Sequence, residues 1–275
     1  MKNKITKYIL LAFTCLGLQA CLFQEDDIFE KSSANRATEN VAELQELLVN
    51  VPNGWKMEYY PGTDYSMGGI TLLCRFDGNN VTLMSEVGSV KTASGKEASS
   101  LYKVTSEEST VLTFDSFNEF IHCFSEPIMG MNTNLEGDYE FVYMGQEDNK
   151  VILQGRRYHN TMVVTPLTQG VNWKDYIGQL NLIEREAFLK TYSLMVGGQE
   201  VGNAVRTSHL FSLTVEGQTS SSVPFIYTPE GIRFKDEITI QGKTVQNFVW
   251  NKEDMTFTSS DEEAADVVLK AYYPQ

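Results

Sequence analysis

Cysteines and histidines are few in this sequence, and long apolar runs are missing. The 275 residues include 4 Cys and 3 His, too few for a disulfide framework or a histidine-rich metal centre. The longest apolar stretch, residues 9–18, has about ten residues, whereas a membrane-spanning helix needs roughly 20. We therefore expect neither a cross-linked scaffold nor a permanent transmembrane helix.

Basic residues are scarce relative to acidic ones. The chain has 22 Lys and Arg against 36 Asp and Glu, which gives a formal net charge of −14. Such a surface repels the phosphates of nucleic acids and of anionic lipid headgroups. We therefore expect no nucleic-acid partner.

The motifs of common catalytic and cofactor sites are also missing. No HExxH, GxSxG, Walker loop, dinucleotide fingerprint or CxxC sequence occurs, and His122, His159 and His209 lie far apart. Asp138 and Glu140 share one face of a predicted strand and could serve a glycosidase, but chance produces such pairs among 36 acids. We predict no catalytic residue, no metal site and no cofactor, and favour a non-enzymatic protein over a hydrolase.

Residues 1–20 are predicted to be a signal peptide. Three lysines without an acid precede the apolar run 9–18, which is the arrangement of an export signal. The sequence Leu-Gln-Ala-Cys at 18–21 resembles the lipobox of bacterial lipoprotein precursors, which implies cleavage before Cys21 and attachment of lipid to its thiol. The alternative is an ordinary signal peptide with an incidental cysteine. Two or more acyl chains would hold the protein stably on a membrane.

The next segments are predicted to be an acidic tether at 21–32 and an N-terminal helix followed by an antiparallel β domain at 33–170. The helix is predicted between residues 33 and 51, because apolar residues recur there at spacings of four and three. Alternating patterns then predict short strands. They lie at 55–60, 70–76, 81–87, 101–105, 111–114, 119–124, 139–144, 151–155 and 162–165. Asp-Gly-Asn-Asn at 77–80 predicts a hairpin turn between two of them.

A central helix and a second β region are predicted at 171–275. Asn172 is a suitable helix N-cap, and the helix is expected to end before Gly197. Strand patterns resume at 209–215, 223–227, 231–234, 237–240, 244–250 and 255–258. Ser260 with Glu263 forms a capping-box pattern for a short C-terminal helix. The predicted fold class is mainly β (α+β), with antiparallel β meanders in two strand-rich halves.

Two questions about these halves stay open. Residues 102–115 are similar to residues 227–235, a weak sign of internal duplication, and the halves can form one domain or two. Cys74 and Cys123, the cysteines that remain after the signal and the lipid site, lie in apolar stretches. Buried free thiols and a single disulfide are both compatible with that placement.

Aromatic side chains are the best candidates for ligand binding, because their faces provide large, rigid contact surfaces for sugars and other ligands. In the strand that begins at Trp55, residues 55, 57 and 59 share one face and Tyr60 points the other way. We therefore predict that Trp55 and Tyr59 pack in the core and that Tyr60 is exposed. The predicted ligand-binding residues are Tyr60, Trp173 and Trp250.

Four segments of the sequence resemble a known family. The strings at residues 29–36, 52–61, 137–141 and 162–167 are similar to those of the uncharacterised Bacteroidetes lipoproteins grouped as DUF4302. The resemblance covers most of the chain after Cys21. It implies an accessory lipoprotein of the outer membrane, similar to those encoded beside nutrient-uptake pairs of the SusC and SusD type and sometimes beside a predicted zinc peptidase.

The segment Gln-Glu-Asp-Asp at 24–27 resembles the signal that sends lipoproteins of that phylum to the cell surface. The alternatives are a solvated tether without a sorting role and a periplasm-facing protein.

The expected function is that of a membrane-anchored lipoprotein that binds a glycan or peptide ligand without catalysis, or that has an accessory role in a nutrient-uptake complex. The alternatives are a hydrolase acting on glycans or peptides and a structural or assembly partner of an outer-membrane transporter.

Overall fold

A computed structural model of the chain describes residues 33–127 and 133–273. The predicted signal peptide, the predicted lipid site at Cys21 and the predicted tether at 21–32 lie outside these residues. The predicted N-terminal helix is present as α1 (Ser33–Val49). Its second half buries Leu44 and Leu48, and the indole of Trp55 donates a hydrogen bond of 2.9 Å to the carbonyl of Leu48.

The first strand-rich half is a closed eight-stranded barrel. Its strands are β1 (Trp55–Tyr60), β2 (Ile70–Asp77), β3 (Asn80–Ser85), β4 (Glu97–Ser106), β5 (Thr110–Phe114), β6 (Glu140–Glu147), β7 (Lys150–Gly155) and β8 (Thr161–Pro166). Each strand pairs antiparallel with the next, and β8 pairs back with β1. Trp55, Met57 and Tyr59 alternate into the barrel core because successive side chains of a strand point to opposite faces.

The segment predicted as a strand at 119–124 is instead the short helix α2 (Glu119–His122). The side chain of Asn118 caps this helix by accepting a hydrogen bond of 3.1 Å from the amide of Phe120. Three consecutive residues, Phe120, Ile121 and His122, are buried, which a strand with one solvent-facing side does not allow. The local cap and the apolar run therefore favour a helical turn over the predicted strand.

The second strand-rich half forms its own closed eight-stranded barrel after helix α3 (Trp173–Glu186). Its strands are β9 (Thr191–Val196), β10 (Gln199–Thr207), β11 (Leu210–Val215), β12 (Ser221–Tyr227), β13 (Gly231–Ile240), β14 (Lys243–Asn251), β15 (Thr256–Ser259) and β16 (Val267–Ala271). The order is again an up-and-down meander, closed by pairing of β16 with β9. The predicted mainly β class with antiparallel meanders is confirmed.

The central helix is shorter than predicted, and the strands β9 and β10 that follow it were not predicted. The helix ends at Glu186, and the residues before Gly197 form β9, whose Tyr192 and Leu194 alternate inward. Gly197 and Gly198 both have positive φ, 58° and 78°, and join β9 to β10 as a tight hairpin. The glycine pair that was interpreted as a helix end is therefore a strand turn.

The C-terminal helix is also smaller than predicted. Only the 3₁₀ turn Glu262–Ala264 forms, with Asp261 at its N-cap position and no capping hydrogen bond from that side chain. The chain then continues into β16, which the sequence patterns did not indicate. The segments with the suspected internal similarity lie in the hairpins β4–β5 and β12–β13, which join the fourth and fifth strands of their respective barrels.

The barrels contact each other directly. Gly68, in the loop before β2, forms an isolated parallel bridge with His209 of the second barrel. The amide of Gly69 donates a hydrogen bond of 3.0 Å to the carbonyl of Phe225, and the imidazole Nδ1 of His209 lies 2.5 Å from the carbonyl oxygen of Gly69. In the described part of the chain, no helix is both long and apolar enough to cross a membrane.

Candidate site: a cleft between the two barrels

A cleft lies where the outer face of the first barrel meets the outer face of the second. On β1, Lys56, Glu58 and Tyr60 point outward because their neighbours point into the core; on β13, Arg233 and Lys235 do the same. The cleft has a volume of about 480 Å³. Its remaining lining residues are Glu147, Lys150, Ile152, Thr161, Val163, Thr165, Asp236, Gln246 and Asn247.

An ion-pair triad joins the barrels at the cleft. Glu58 is 3% exposed; one of its carboxylate oxygens lies 2.6 Å from Nζ of Lys56, and the other contacts the guanidinium of Arg233. Lys56 belongs to the first barrel and Arg233 to the second. One buried acid is thus shared by two bases, which leaves the triad with one excess positive charge.

The protonation of Lys56 reflects this excess. Burial, together with repulsion from Arg233 and then Lys150, lowers the pKa of Lys56 to about 8. Burial also lowers the pKa of Arg233. The charge of Glu230 and the 2.6 Å contact with Glu58 favour the charged lysine, but the Glu58 carboxylate also contacts Arg233. Lys56 is therefore held between its charged and neutral forms at mildly alkaline pH.

Tyr60 lines the cleft, but it is not exposed as predicted. It points away from the core of the first barrel, yet only 2% of its surface is accessible because the second barrel covers it. Nζ of Lys235 lies 5.9 Å from its ring centroid, and its hydroxyl has no hydrogen-bond partner among the described residues. Burial raises the pKa of Tyr60 well above its usual value.

The other two predicted binding residues lie elsewhere. Trp173 borders a second cavity, of about 600 Å³, where its indole donates to the carbonyl of Asn53 at 2.9 Å and the guanidinium of Arg75 lies 5.3 Å from its ring centroid. Trp250 packs against Phe257 at 4.7 Å between ring centroids. The structure therefore brings none of the three predicted residues together.

Two buried acids outside the cleft differ in the number of hydrogen bonds that their carboxyl groups accept. The carboxylate of Asp138, one of the acids considered for catalysis, accepts hydrogen bonds from the amides of Arg157, Tyr158 and Asn160. It therefore holds the loop between β7 and β8. Glu86 accepts a hydrogen bond of 2.6 Å from the amide of Thr71, and burial raises its pKa to about 8.

The cysteines and histidines do not form a reactive group in the described residues. Cys74 and Cys123 are both free thiols, and burial raises the pKa of each. His122 stacks on Tyr139 with 4.7 Å between ring centroids, and His209 lies at the barrel contact. No cluster of three side chains suited to hold a metal ion occurs in residues 33–127 and 133–273.

Sequence reasoning missed the cleft residues Lys56, Glu58, Lys150 and Arg233. A partial signal was present, since Lys56 and Glu58 occupy the polar positions of an alternating strand. That pattern indicates an outward face but not the element that covers it. The approach of Arg233, about 175 residues further along the chain, depends on how the two barrels dock.

The fold and the cleft define the class: a tandem pair of up-and-down eight-stranded β-barrels with a charged cleft between them. The chain matches the family described as Domain of unknown function (DUF4302) over residues 25–252 and belongs to that family. No curated protein matches the sequence.

Proposed function

We propose that the protein is a non-catalytic binding protein whose small polar ligand occupies the cleft between the barrels. The observation that carries this proposal is the cleft itself, which takes residues from six strands of two barrels and has a volume of about 480 Å³. Clefts between compact units are preferred places for small-molecule sites. The triad of Lys56, Glu58 and Arg233 would fix the two walls before a ligand arrives.

The proposed setting is the outer face of a bacterial outer membrane, where lipid on Cys21 anchors the protein. The support is the lipobox-like sequence before Cys21, the acidic segment at 24–27 and the resemblance to Bacteroidetes lipoproteins. In this setting the protein would deliver or retain a glycan or peptide for a nutrient-uptake complex.

The cleft is tested by filling it. Thr165 points into the cleft from β8, opposite Lys56 on β1, so Thr165→Trp should abolish binding of any glycan or peptide that the wild type retains in a panel screen. Thr239→Trp is the matched control, because Thr239 is exposed on β13 and does not line the cleft. Absence of any bound compound, equal binding by the Thr165 variant, or product formation from a bound compound would contradict the proposal.

The anchor is tested separately by metabolic labelling with a palmitate analogue. We expect the label in wild type and in Cys123→Ala, and its loss in Cys21→Ala, because only the Cys21 thiol follows the lipobox-like residues. The Cys21 variant should also leave the membrane fraction. Equal labelling of all three proteins would show that Cys21 carries no lipid.

A further inference from the structure

We propose that the ligand of the cleft is a monoanion whose carboxylate binds Lys150 and Lys56. This inference rests on the proposed function, since it names the chemical class that the same cleft would bind. Three features of the cleft support it: the charges of the lining residues, the contact of Glu58 with two bases, and the position of Lys150.

The charge balance of the cleft is opposite to that of the whole chain. Acidic side chains outnumber basic ones by 36 to 22 overall. The cleft is lined by four basic side chains, Lys56, Lys150, Arg233 and Lys235, and by three acidic ones, Glu58, Glu147 and Asp236. Fields focused in a cleft raise the local concentration of oppositely charged ligands, so this cleft attracts anions although the protein repels them elsewhere.

The buried acid cannot neutralise its surroundings. Glu58 contacts Lys56 and Arg233 at once, and it is 3% exposed. One carboxylate cannot fully compensate two cations. The charge of Glu230 also favours protonated Lys56, but Glu230 does not line the cleft. An anion that contacts Lys56 would supply the missing charge.

Lys150 is the other half of the anion site. It is the first residue of β7, it is exposed, and it forms no ion pair with any described residue. Lys56 and Lys150 both line the cleft, on strands β1 and β7 that flank β8, and the charge of Lys150 contributes to the lowered pKa of Lys56. A carboxylate that contacts both lysines would remove that repulsion.

The other charged residues that line the cleft indicate that the ligand carries one negative charge. Lys235 lies 3.0 Å from the carboxylate of Asp236, and that pair is neutral. The negative charge of Glu147 offsets the positive charge of Lys150. The net charge of the residues that line the cleft is therefore the one excess positive charge of the triad. A monoanion therefore neutralises the cleft, whereas a phosphate dianion would leave it negatively charged.

Neutral groups beside the lysines indicate what else the ligand carries. Thr161 and Thr165 present hydroxyls on the outward face of β8, and these can bond to hydroxyl or amide groups. An acidic sugar and a peptide carboxylate share this chemistry. The two sources are separated by using one probe of each kind.

The test is calorimetric titration of the full-length protein at pH 7 and low salt with D-glucuronate, N-acetylglycine, D-glucose and glucose 6-phosphate. We expect at least one carboxylate to bind saturably and at least tenfold more tightly than glucose and glucose 6-phosphate. The tighter of the two carboxylates identifies the sugar or the peptide source. Charge reversal in Lys150→Glu should abolish this binding, whereas Lys270→Glu, at an exposed strand position outside the cleft, should retain it.

A second readout follows proton uptake. Carboxylate binding at pH 8 should raise the pKa of Lys56 from about 8, so the complex takes up a fraction of a proton, measured from binding heats in two buffers of different ionisation enthalpy. Absence of uptake, or no saturable carboxylate binding, would overturn the inference. Glucose binding that equals glucuronate binding and disappears in Thr165→Trp would overturn it as well, while leaving the proposed function intact.

Discussion

At the scale of single residues, Glu86 is a buried acid whose environment favours its protonated form. Its carboxyl is buried and accepts a hydrogen bond from the amide of Thr71, and no basic side chain forms an ion pair with it there. Burial raises its pKa from 4.5 to about 8, with a smaller contribution from the charge of Glu184. The native protein therefore retains a proton on Glu86 at neutral pH.

This retained proton predicts how stability depends on pH. Between pH 4.5 and 8 the native state keeps the Glu86 proton and the unfolded state has released it, so the free energy of unfolding falls as pH rises and levels off above about 8. The total effect is at most about 5 kcal/mol, since one pKa unit corresponds to about 1.4 kcal/mol. Urea unfolding between pH 6 and 9 should show this slope in wild type and a flatter one in Glu86→Gln.

The control for this prediction is Glu108→Gln, which alters an exposed acid and should keep the slope of the wild type. Equal slopes in Glu86→Gln and the wild type would contradict a protonated Glu86. All other titrating groups are common to the proteins compared, so the difference in slope reports on Glu86 alone.

The sequence predicts which face of a strand each side chain lies on, but it does not predict how exposed that side chain is. The alternation from Trp55 correctly places Trp55 and Tyr59 in the core, and Tyr60 on the other face. Tyr60 is nevertheless buried because a second barrel covers that face. Two-residue periodicity reports which way a side chain points. It does not report that Lys235 and its neighbours cover Tyr60, because they lie in a barrel far along the chain.

At the scale of elements, helix α3 depends on its N-cap. The side chain of Asn172 accepts a hydrogen bond of 3.1 Å from the amide of Asp175, which satisfies one of the free amides of the first turn. We expect Asn172→Ala to lower the free energy of unfolding by about 1 kcal/mol. Thermal unfolding checks this loss, and Asn172→Ser should recover most of it because serine can cap in the same way. Equal losses in the two variants would show that the cap hydrogen bond is not the cause.

The elements also show where local patterns are ambiguous. Helix α1, the hairpin at Asp77–Asn80 and the start of α3 were all predicted, because each has a cap, a turn or a sustained periodicity. The end of α3 was misplaced by about ten residues, since Gly197 and Gly198 terminate either a helix or a strand. Strand β16 was not predicted because it forms by pairing with β9, which lies far away in the sequence. The paired residues Leu194 and Leu269, for example, are 75 residues apart.

At the scale of the whole molecule, the backbones of the two barrels approach each other closely at Gly68. Its φ is +72°, and a Cβ there would overlap the carbonyl of His209. We expect Gly68→Ala to lower the free energy of unfolding by at least about 2 kcal/mol more than Gly170→Ala, since steric overlap adds to backbone strain only at Gly68. In scanning calorimetry we expect one unfolding transition for the wild type and two for Gly68→Ala, because the two barrels would no longer stabilise each other.

Gly170 is the suitable control because its φ is +88° and a Cβ there meets no atom within 4 Å. Its substitution measures the cost of backbone strain alone. Similar losses in the two variants, with one transition in each, would show that the approach of Gly68 to His209 does not couple the barrels.

Closure of each barrel by its last strand has a consequence for the order in which the two barrels can form as the chain emerges. The first barrel has all its strands once residue 166 has emerged, whereas the second requires Val267–Ala271 to pair with β9. A nascent chain that reaches only residue 252, where the family match ends, would leave β9 and β14 as unpaired edges open to aggregation. Strands β15 and β16 therefore decide whether the second barrel has exposed edges.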